Sequence, residues 1–253
     1  MSLPRLGAPI VLVHGILGFG ELRLGKWTLA RYFRDIPTYL RASGNRVLVA
    51  CLSPTGGVAE RAEQLKRFLR EHASNEAVHL IAHSMGGLDA RYMISRLDMA
   101  PQVLSLTTIG TPHRGSPFAD WGVRRLERLV KPLMRVLHVS PQGFYDLTTT
   151  SCQRFNDQTP DKRNVRYFAV ASRWERRPPN PLFDFPQRIV YDEEGPNDGV
   201  VSLHSAAYGE NLEVWEGDHL SLIHWHYPPC ASRAPDRHLS YGGLVRRLAA
   251  EGF

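Results

Sequence analysis

Cysteine is scarce in this chain. Only three cysteines, Cys51, Cys152 and Cys230, occur among its 253 residues. Small secreted scaffolds held together by disulfides need a denser set of paired cysteines, so the sequence excludes that class. A single bridge between Cys152 and Cys230 stays open, because their spacing neither supports nor opposes it. Cys51 lies in a predicted strand, where we expect a buried thiol.

Long hydrophobic runs are missing as well. No apolar stretch approaches the roughly 20 residues that a membrane-spanning helix needs. The N-terminal stretch M-S-L-P-R-L-G contains no apolar segment of the kind found in secretory signal peptides. We therefore expect a cytoplasmic protein, unless a leader was removed. No repeat, linker or low-complexity tract divides the chain, so we expect residues 1–253 to form a single domain.

Lysine is the third scarce residue type. The chain has 4 lysines against 27 arginines, and its formal net charge is +6. A basic surface favours contact with anionic lipid interfaces or acidic substrates. No nucleic-acid-binding motif accompanies this charge, and we therefore expect no nucleic-acid partner.

What the chain does have is a regular alternation of strands and helices. Continuous apolar runs such as P-I-V-L-V (9–13) are typical of strands buried on both faces. Apolar residues at helical spacing lie between these runs. The alternation predicts an α/β fold with a mostly parallel central sheet and helices on both faces. Predicted strands cover 9–13, 46–52, 78–81, 103–109, 165–171 and 212–217, and predicted helices cover 58–72 and 87–97.

One segment, 117–155, breaks this alternation because it has helical periodicity but no strand. Its apolar stripe faces away from a row of arginines, and Pro132 should divide the helix. We interpret the segment as a helical lid inserted over the active site; a plain covering helix is the alternative. The stripe consists of Trp121, Leu126, Leu129, Val130, Leu133 and Leu137.

The strongest chemical signal is Ser84, in the stretch A-H-S-M-G-G (82–87) directly after a predicted strand. A strand followed by x-H-S-x-G-G is the sequence form of a nucleophile elbow, a strained turn that exposes a serine hydroxyl above the sheet. Strand and helix backbones pass close together at such a turn, so the flanking residues must be small. Gly86 and Ala82 meet this requirement. We predict that Ser84 is a nucleophile.

A serine hydroxyl needs a base to take its proton and an acid to orient that base. In folds with this elbow the partners follow in the order Ser, Asp, His. Asp198, in the turn P-N-D-G-V-V-S (196–202), is the predicted acid. His219, just past the last predicted strand, is the predicted base. Competing acids are Asp192, Glu193 and Glu194, and competing histidines are His204, His224 and His226.

A metal centre is the rival interpretation of the histidine-rich stretch near the C-terminus. His224, His226 and Cys230 could form a cluster, but their spacing matches no strong metal-binding signature. We therefore expect no metal ion and no cofactor.

Hydrolysis through an acyl-enzyme also needs donors for the oxyanion that develops on the carbonyl oxygen. The first predicted strand ends in H-G-I-L-G (14–18), where a glycine allows a sharp turn. We predict that the backbone amides of Ile16 and Met85 form the oxyanion hole, because Met85 directly follows the nucleophile.

These motifs together resemble the bacterial triacylglycerol lipases of family I, the foldase-dependent type. The resemblance implies an α/β-hydrolase fold, a helical lid, the triad Ser84, Asp198 and His219, and hydrolysis of carboxylic esters. The expected enzyme is a lipase or carboxylesterase acting on acyl esters, with lipid-interface contact through the helix 117–138; an acyltransferase or phospholipase using the same acyl-enzyme is the alternative. The similar stretches are 9–19, Ile36-Pro37 with Leu40, 62–65, 83–88 with Arg91-Tyr92, 109–116, 197–202 and 218–220.

The sequence departs from this family at a calcium site. Many members hold a calcium ion with an aspartate two residues after the catalytic histidine and a glutamine six residues after it. Those positions are Ser221 and Trp225 here, and neither is a good ligand for a hard cation. We therefore predict that this calcium site is absent.

Overall fold

The computed structural model describes residues 3–18, 21–24, 27–125, 140–176, 179–226 and 236–253. The described strands are β1 (Ile10–Val13), β2 (Glu21–Leu24), β3 (Trp27–Arg31), β4 (Val47–Ala50), β5 (Val78–His83), β6 (Val103–Ile109), β7 (Arg166–Arg173) and β8 (Asn211–Glu216). Six of them form one sheet in the order β4-β1-β5-β6-β7-β8, and every neighbouring pair is parallel. The other two, β2 and β3, pair as an antiparallel hairpin.

Helices cover both faces of the sheet, which explains the apolar runs in the strands. The labelled helices are α1 (Ile36–Ala42), α2 (Val58–His72), α3 (Gly86–Arg96), α4 (Gln142–Asp146), α5 (Thr149–Gln158), α6 (Pro181–Glu194), α7 (Leu203–Ala206) and α8 (Arg237–Ala250), with 3-10 turns at Ala100–Gln102 and Ser221–Ile223. Val11 and Val13 pack with buried residues of α2 and α3 on one face. Ile10 and Leu12 pack with α1 and α8 on the other face.

The predicted parallel sheet with helices on both faces is confirmed. The sequence did not predict the β2–β3 hairpin or the helices α1, α6, α7 and α8. α6 contains an internal proline, Pro186, which disguises its helical pattern, and the Asn180 side chain caps it by accepting a hydrogen bond from the Leu182 amide at 3.2 Å. The expected buried thiol of Cys51 is wrong, because β4 ends at Ala50 and Cys51 is exposed.

The structure describes only part of the predicted lid segment 117–155. Residues 117–125 are helical and α4 and α5 follow, whereas 126–139, with most of the predicted apolar stripe, lie outside the described residues. Cys152 is a buried free thiol, and Cys230 also lies outside the described part. No helix in the described ranges combines the length and apolar character needed to cross a membrane.

A buried ion pair joins the strand ends beneath the predicted site. The Arg61 guanidinium on α2 lies 2.8 Å from the Asp89 carboxylate on α3, and neither side chain is exposed. Arg61 also donates to the carbonyl oxygens of His14 and Ser53, which follow β1 and β4. One guanidinium therefore fixes two helices relative to two strand ends.

We expect Arg61→Ala to lower the free energy of unfolding by about 3–5 kcal/mol, because it leaves the Asp89 carboxylate buried without its partner. Urea unfolding followed by circular dichroism measures the change. Arg67→Ala, at an exposed position of the same helix, is the control and should stay within about 0.5 kcal/mol of the wild type. Equal stability of the two variants would contradict a structural role for the ion pair.

Candidate active site

Ser84 lies at the sharp turn between β5 and α3. Its φ angle is +56°, a left-handed conformation that is costly for a residue with a side chain. Two hydrogen bonds hold the turn: the Ser84 amide donates to the Ile109 carbonyl at 2.9 Å, and the Thr111 hydroxyl donates to the Ser84 carbonyl at 2.7 Å. The turn thus has the geometry expected of a nucleophile elbow.

Neighbouring backbones approach this turn closely enough to require glycine. A Cβ atom on Gly86 would lie 2.8 Å from the carbonyl oxygens of Val13 and His14. A Cβ atom on Gly15 would lie 3.1 Å from the Ser84 hydroxyl oxygen. The turn after β1 and the elbow after β5 are therefore packed directly against each other.

The structure brings Asp198 and His219 together. The Asp198 Oδ2 atom lies 2.6 Å from Nδ1 of His219, and the His219 amide donates to the Asp198 carbonyl at 2.8 Å. The other carboxylate oxygen of Asp198 accepts hydrogen bonds from the amides of Val200 and Val201. Because Nδ1 of His219 is held by the buried carboxylate, Nε2 is the ring nitrogen left for a substrate or nucleophile.

Gly110, which the sequence analysis did not single out, lies beneath this pair. A Cβ atom on Gly110 would lie 3.1 Å from Oδ2 of Asp198 and 3.3 Å from Nδ1 of His219. Its φ angle of +57° also favours glycine. The end of β6 therefore has to be free of a side chain for the acid and the imidazole to meet.

The competing acids and histidines lie elsewhere. Asp192 and Glu193 are exposed at the end of α6, and Glu194 accepts a hydrogen bond from the Ser202 hydroxyl. His204 is exposed, while Nδ1 of His224 lies 2.6 Å from the Asp35 carboxylate.

An apolar cavity of about 730 Å³ opens above the elbow. Ser84 and His219 both line it, so the predicted nucleophile and base face the same space. Its volume lies within the range of small-molecule sites. The apolar walls include Ile16, Leu17, Phe118, Phe144, Leu147 and Phe183.

Of the two predicted oxyanion donors, Ile16 lines this cavity, and Met85 directly follows Ser84, which also lines it. Within the described ranges, the amides of Ile16 and Met85 have no hydrogen-bond acceptor. The next residue, Leu17, has a φ angle of +56° and donates its amide to the Pro54 carbonyl, which fixes the path of the turn. Amides that have no acceptor among the described residues, next to a serine that lines the cavity, are what an oxyanion hole requires.

His14 fixes the start of the same turn. Its Nδ1 lies 2.8 Å from the Gly15 carbonyl, and its Nε2 accepts a hydrogen bond from the Leu52 amide at 2.9 Å. Burial, helped by the nearby Arg61 charge, lowers the pKa of His14 to about 4. His14 is therefore neutral at physiological pH, and its Nδ1–H donates to the carbonyl.

A chain of hydrogen bonds through Tyr32 and His83 links Gly15 to the backbone of His219. The Gly15 amide donates to the Tyr32 hydroxyl oxygen at 3.1 Å, and that oxygen lies 2.8 Å from Nδ1 of His83. Nε2 of His83 lies 3.1 Å from the carbonyl oxygen of His219. The chain links the turn after β1, the elbow and the loop that carries the predicted base.

The direction of this chain follows from its last member. A carbonyl oxygen only accepts, so Nε2 of His83 carries the hydrogen and its Nδ1 accepts from the Tyr32 hydroxyl. Burial lowers the pKa of His83 well below its ordinary value, which keeps the ring neutral and the chain intact. Sequence reasoning missed both roles: Tyr32 lies outside every recognised motif, and His83 lies inside the elbow motif but received no role there.

The two positions that correspond to the family's calcium ligands are occupied otherwise. Ser221 donates its hydroxyl to the Asp218 carbonyl, and the Trp225 indole donates to the Tyr32 carbonyl at 2.8 Å. Neither side chain presents a free oxygen to a cation. The absence of that calcium site stays a prediction.

Comparisons with known proteins show similarity to an alpha/beta domain family and to lipases. Residues 59–170 match the family model of the PGAP1-like alpha/beta domain. Triacylglycerol lipase 2 of Saccharomyces cerevisiae is 37% identical over 205 residues, which cover 77% of this chain and 62% of the yeast protein. Triacylglycerol lipase of Pseudarthrobacter phenanthrenivorans is 40% identical over 120 residues, covering 45% of this chain and 35% of that protein. The chain thus spans less than two thirds of either relative.

Solved structures decide the fold. The mature form of the Bacillus licheniformis lipase BlEst2 aligns with 94% of this chain and 91% of its own, with a TM-score of 0.72 and 24% identity. The Staphylococcus hyicus lipase aligns with 100% of this chain and 99% of its own, with a TM-score of 0.73 and 19% identity. The chain has the α/β-hydrolase fold. In this fold the elbow, the predicted acid and the predicted base lie at the carboxyl ends of β5, β7 and β8, where parallel sheets place their ligands.

We expect Tyr32→Phe to lower the free energy of unfolding by about 1–3 kcal/mol, because the Gly15 amide and Nδ1 of His83 lose a buried partner. Urea unfolding measures this change. Tyr191→Phe, at an exposed position of α6, is the matched control and should have no effect. ¹⁵N spectra of the wild type should show His83 in the Nε2–H tautomer; an Nδ1–H tautomer would overturn the direction of the chain.

Proposed function

We propose that this α/β-hydrolase is a serine carboxylic ester hydrolase, a lipase or esterase that cleaves acyl esters through an acyl-serine intermediate. The observation that carries the proposal is the buried Asp198 carboxylate, 2.6 Å from a His219 imidazole that lines one apolar cavity with Ser84. An orientated imidazole and a serine in a strained elbow are the combination that activates a hydroxyl.

In this mechanism the Ser84 oxygen attacks the ester carbonyl carbon while Nε2 of His219 takes the hydroxyl proton. Asp198 holds Nδ1–H of His219 and stabilises the imidazolium that forms. Collapse of the tetrahedral intermediate breaks the bond to the alcohol oxygen, and His219 returns its proton to that leaving group. Water then repeats the sequence on the acyl-serine, releasing the carboxylic acid and restoring the Ser84 hydroxyl.

The negative charge on the tetrahedral intermediate is stabilised by backbone amides. We assign this role to the amides of Ile16 and Met85, on the turn after β1 and the turn after β5. Their support is the direct packing of the two turns, which is so close that a Cβ atom added to Gly15 would lie 3.1 Å from the Ser84 hydroxyl oxygen. Each such donor contributes about 10²–10³-fold to the rate.

The substrate class follows from the cavity. Its walls are almost entirely apolar around a polar floor, so it suits a hydrocarbon chain attached to one reacting ester group. The similarity to triacylglycerol lipases supports a lipidic acyl ester. No feature of the described residues favours transfer to another acceptor over hydrolysis.

The narrower placement among the foldase-dependent bacterial lipases is part of the same proposal. It rests on the motifs around 9–19, 83–88, 109–116 and 218–220, and on bacterial relatives about 40% identical over part of the chain. The substituted calcium positions, Ser221 and Trp225, set this chain apart from that group.

The lid proposal rests on the described start of the inserted segment. Phe118 and Val123, on the helical residues 117–125, line the cavity, and Trp121 packs edge-on against Phe185 with ring centroids 4.9 Å apart. We propose that the segment acts as a lid, whose described helical residues 117–125 border the cavity, and that the predicted helix 117–138 contacts a lipid interface.

We expect Ser84→Ala to lower kcat on p-nitrophenyl butyrate by about 10⁴-fold or more, because the nucleophile is removed. Asp198→Asn should lower kcat by about 10³–10⁴-fold, because His219 loses the partner that fixes its tautomer. A fluorophosphonate probe should label the wild type and not Ser84→Ala.

Asp192→Asn, which alters an exposed competing acid, is the matched control and should retain full activity. Circular dichroism and melting temperature verify that each variant is folded. Retention of most esterase activity by folded Ser84→Ala would refute the proposed nucleophile.

We expect kcat/KM to rise about three- to fourfold for each methylene added to the acyl chain until the cavity is filled, because each buried methylene contributes about 0.8 kcal/mol. A series of soluble p-nitrophenyl esters measures this slope. Phe144→Ala, at the cavity wall, should flatten it, whereas Leu239→Ala, exposed on α8, should leave it unchanged. A slope of zero in the wild type would oppose an acyl-binding role for the cavity.

A further inference from the structure

A second cluster of ligand-type side chains lies outside the active site. Asp35 directly precedes α1, His224 follows the 3-10 turn Ser221–Ile223, and His238 lies in the first turn of α8. We propose that these three side chains bind one divalent transition-metal ion, with Zn²⁺ the best match to the donor set. The site is separate from the catalytic residues and is independent of the proposed function.

The distances suit such an ion. One ligand atom from each of the three side chains lies within 4.8 Å of the other two. Two ligands of a tetrahedral zinc ion, each about 2.0–2.1 Å from the metal, are about 3.3 Å apart. Nε2 of His238 lies 3.3 Å from Oδ1 of Asp35.

His224 needs only a local change to become a ligand. Its Nδ1 lies 2.6 Å from the same oxygen of Asp35, which is a hydrogen bond in the absence of a metal. Moving the ring hydrogen to Nε2 leaves a lone pair on Nδ1 with no net loss of a proton. The Asp35 side chain is about half exposed, at 48%, so that solvent and not packed protein borders one side of it.

His238 is already orientated as a metal ligand. Its Nε2 is buried and has no hydrogen bond within the described part of the chain. Its other ring nitrogen, Nδ1, lies 3.4 Å from the Asp236 carboxylate, and the Tyr39 ring stacks on it at 4.6 Å. A carboxylate behind one nitrogen and an unpartnered second nitrogen facing the cluster is the usual arrangement around a bound zinc ion.

The backbone at the cluster is strained on two of its three sides. Arg34, immediately before Asp35, has a φ angle of +42°, and His224 has one of +68°. Both residues carry side chains, so these left-handed conformations persist only where surrounding contacts or a ligand hold them. The Arg34 guanidinium also donates to the His224 carbonyl at 3.3 Å, joining the two strained residues.

The donor set selects the metal. Two imidazoles and one carboxylate suit zinc and similar transition ions, whereas calcium and magnesium prefer oxygen ligands alone. The exposed side of Asp35 leaves room for a water molecule as fourth ligand. From the sequence alone, a cluster of His224, His226 and Cys230 was the rival interpretation, its spacing matched no metal signature, and no metal ion was expected. The structure instead joins His224 to residues far away in the chain, and Cys230 lies outside the described residues.

A bound ion would connect the loop that follows His219 to the starts of α1 and α8. We therefore expect Zn²⁺ to raise the melting temperature of chelator-treated full-length protein, since a ligand that binds only the folded state stabilises it. Calorimetric titration with ZnCl₂ should show about one ion per chain. Co²⁺ in its place should give the visible absorption of a tetrahedral site.

Substitutions locate the ion. Asp35→Asn, His224→Gln and His238→Gln should each weaken Zn²⁺ binding by about 100-fold or more. Asp236→Asn should weaken it by about tenfold, because asparagine keeps the helix cap but removes the orientating charge. His204→Gln, which removes an exposed histidine elsewhere, is the control and should bind as the wild type does.

Footprinting gives a readout that needs no variant. Zn²⁺ should protect His224 and His238 of the wild type from diethyl pyrocarbonate, as mapped by mass spectrometry, and leave His204 reactive. The proposal is overturned if the wild type shows no saturable Zn²⁺ binding. It is equally overturned if the three folded ligand variants, with metal-free melting temperatures near that of the wild type, bind as tightly as the control.

Discussion

The close approach of two turns, one after β1 and one after β5, is the constraint on which the site depends. Ser84 holds a left-handed conformation at the second turn, and Gly15 and Gly86 allow the first turn to pack against it. Neither turn is stable in this form alone, because the strain at Ser84 has to be balanced by contacts around it. Those contacts come from the amide of Ser84, from Thr111 and from the buried core of β1 and β5.

Polar groups buried behind the two turns add further contacts, and their charges are compensated in two ways. Arg61 is a permanent charge that is matched by the Asp89 carboxylate and by two backbone carbonyls. His14 and His83 lose their charge instead, because burial lowers the pKa of both rings. Each neutral ring then offers one donor and one acceptor, which is what a hydrogen-bond chain between backbone segments needs.

Much of the sheet could be predicted from the sequence, because strands buried on both faces are written as continuous apolar runs. The elbow was readable for a similar reason: the turn needs small residues at fixed offsets from Ser84. The pairing of Asp198 with His219 could be anticipated from chain order, and the geometry brings them into contact. The error at Cys51 came from extending a strand beyond Ala50, where the apolar pattern continues after the pairing has ended.

Contacts between distant segments could not be predicted where no motif or chain order pointed to them. Tyr32 acts through His83, which lies 51 residues later, and no local pattern records that distance. Gly110 matters only because two side chains from other loops meet above it. The grouping of Asp35 with His224 and His238 depends on the path of α1 and α8 across one face of the sheet. Local sequence reports periodicity and turn chemistry; it does not report which loops the fold brings together.

The position of β8 has a consequence for how heat inactivates this molecule. Among the described strands β8 pairs with β7 alone, so it is the margin of the sheet, and Leu212 and Val214 on it are 41% and 46% exposed. The imidazole of His219 is carried by the loop that follows this strand, whereas Ser84 stands at the sheet's centre. Detachment of this one edge strand would separate the proposed base from the proposed nucleophile while the remaining five strands of the sheet stay paired. On warming, the proposed activity should therefore be lost at a lower temperature than the global fold. On cooling, β8 can pair again with β7, which is still part of the folded sheet.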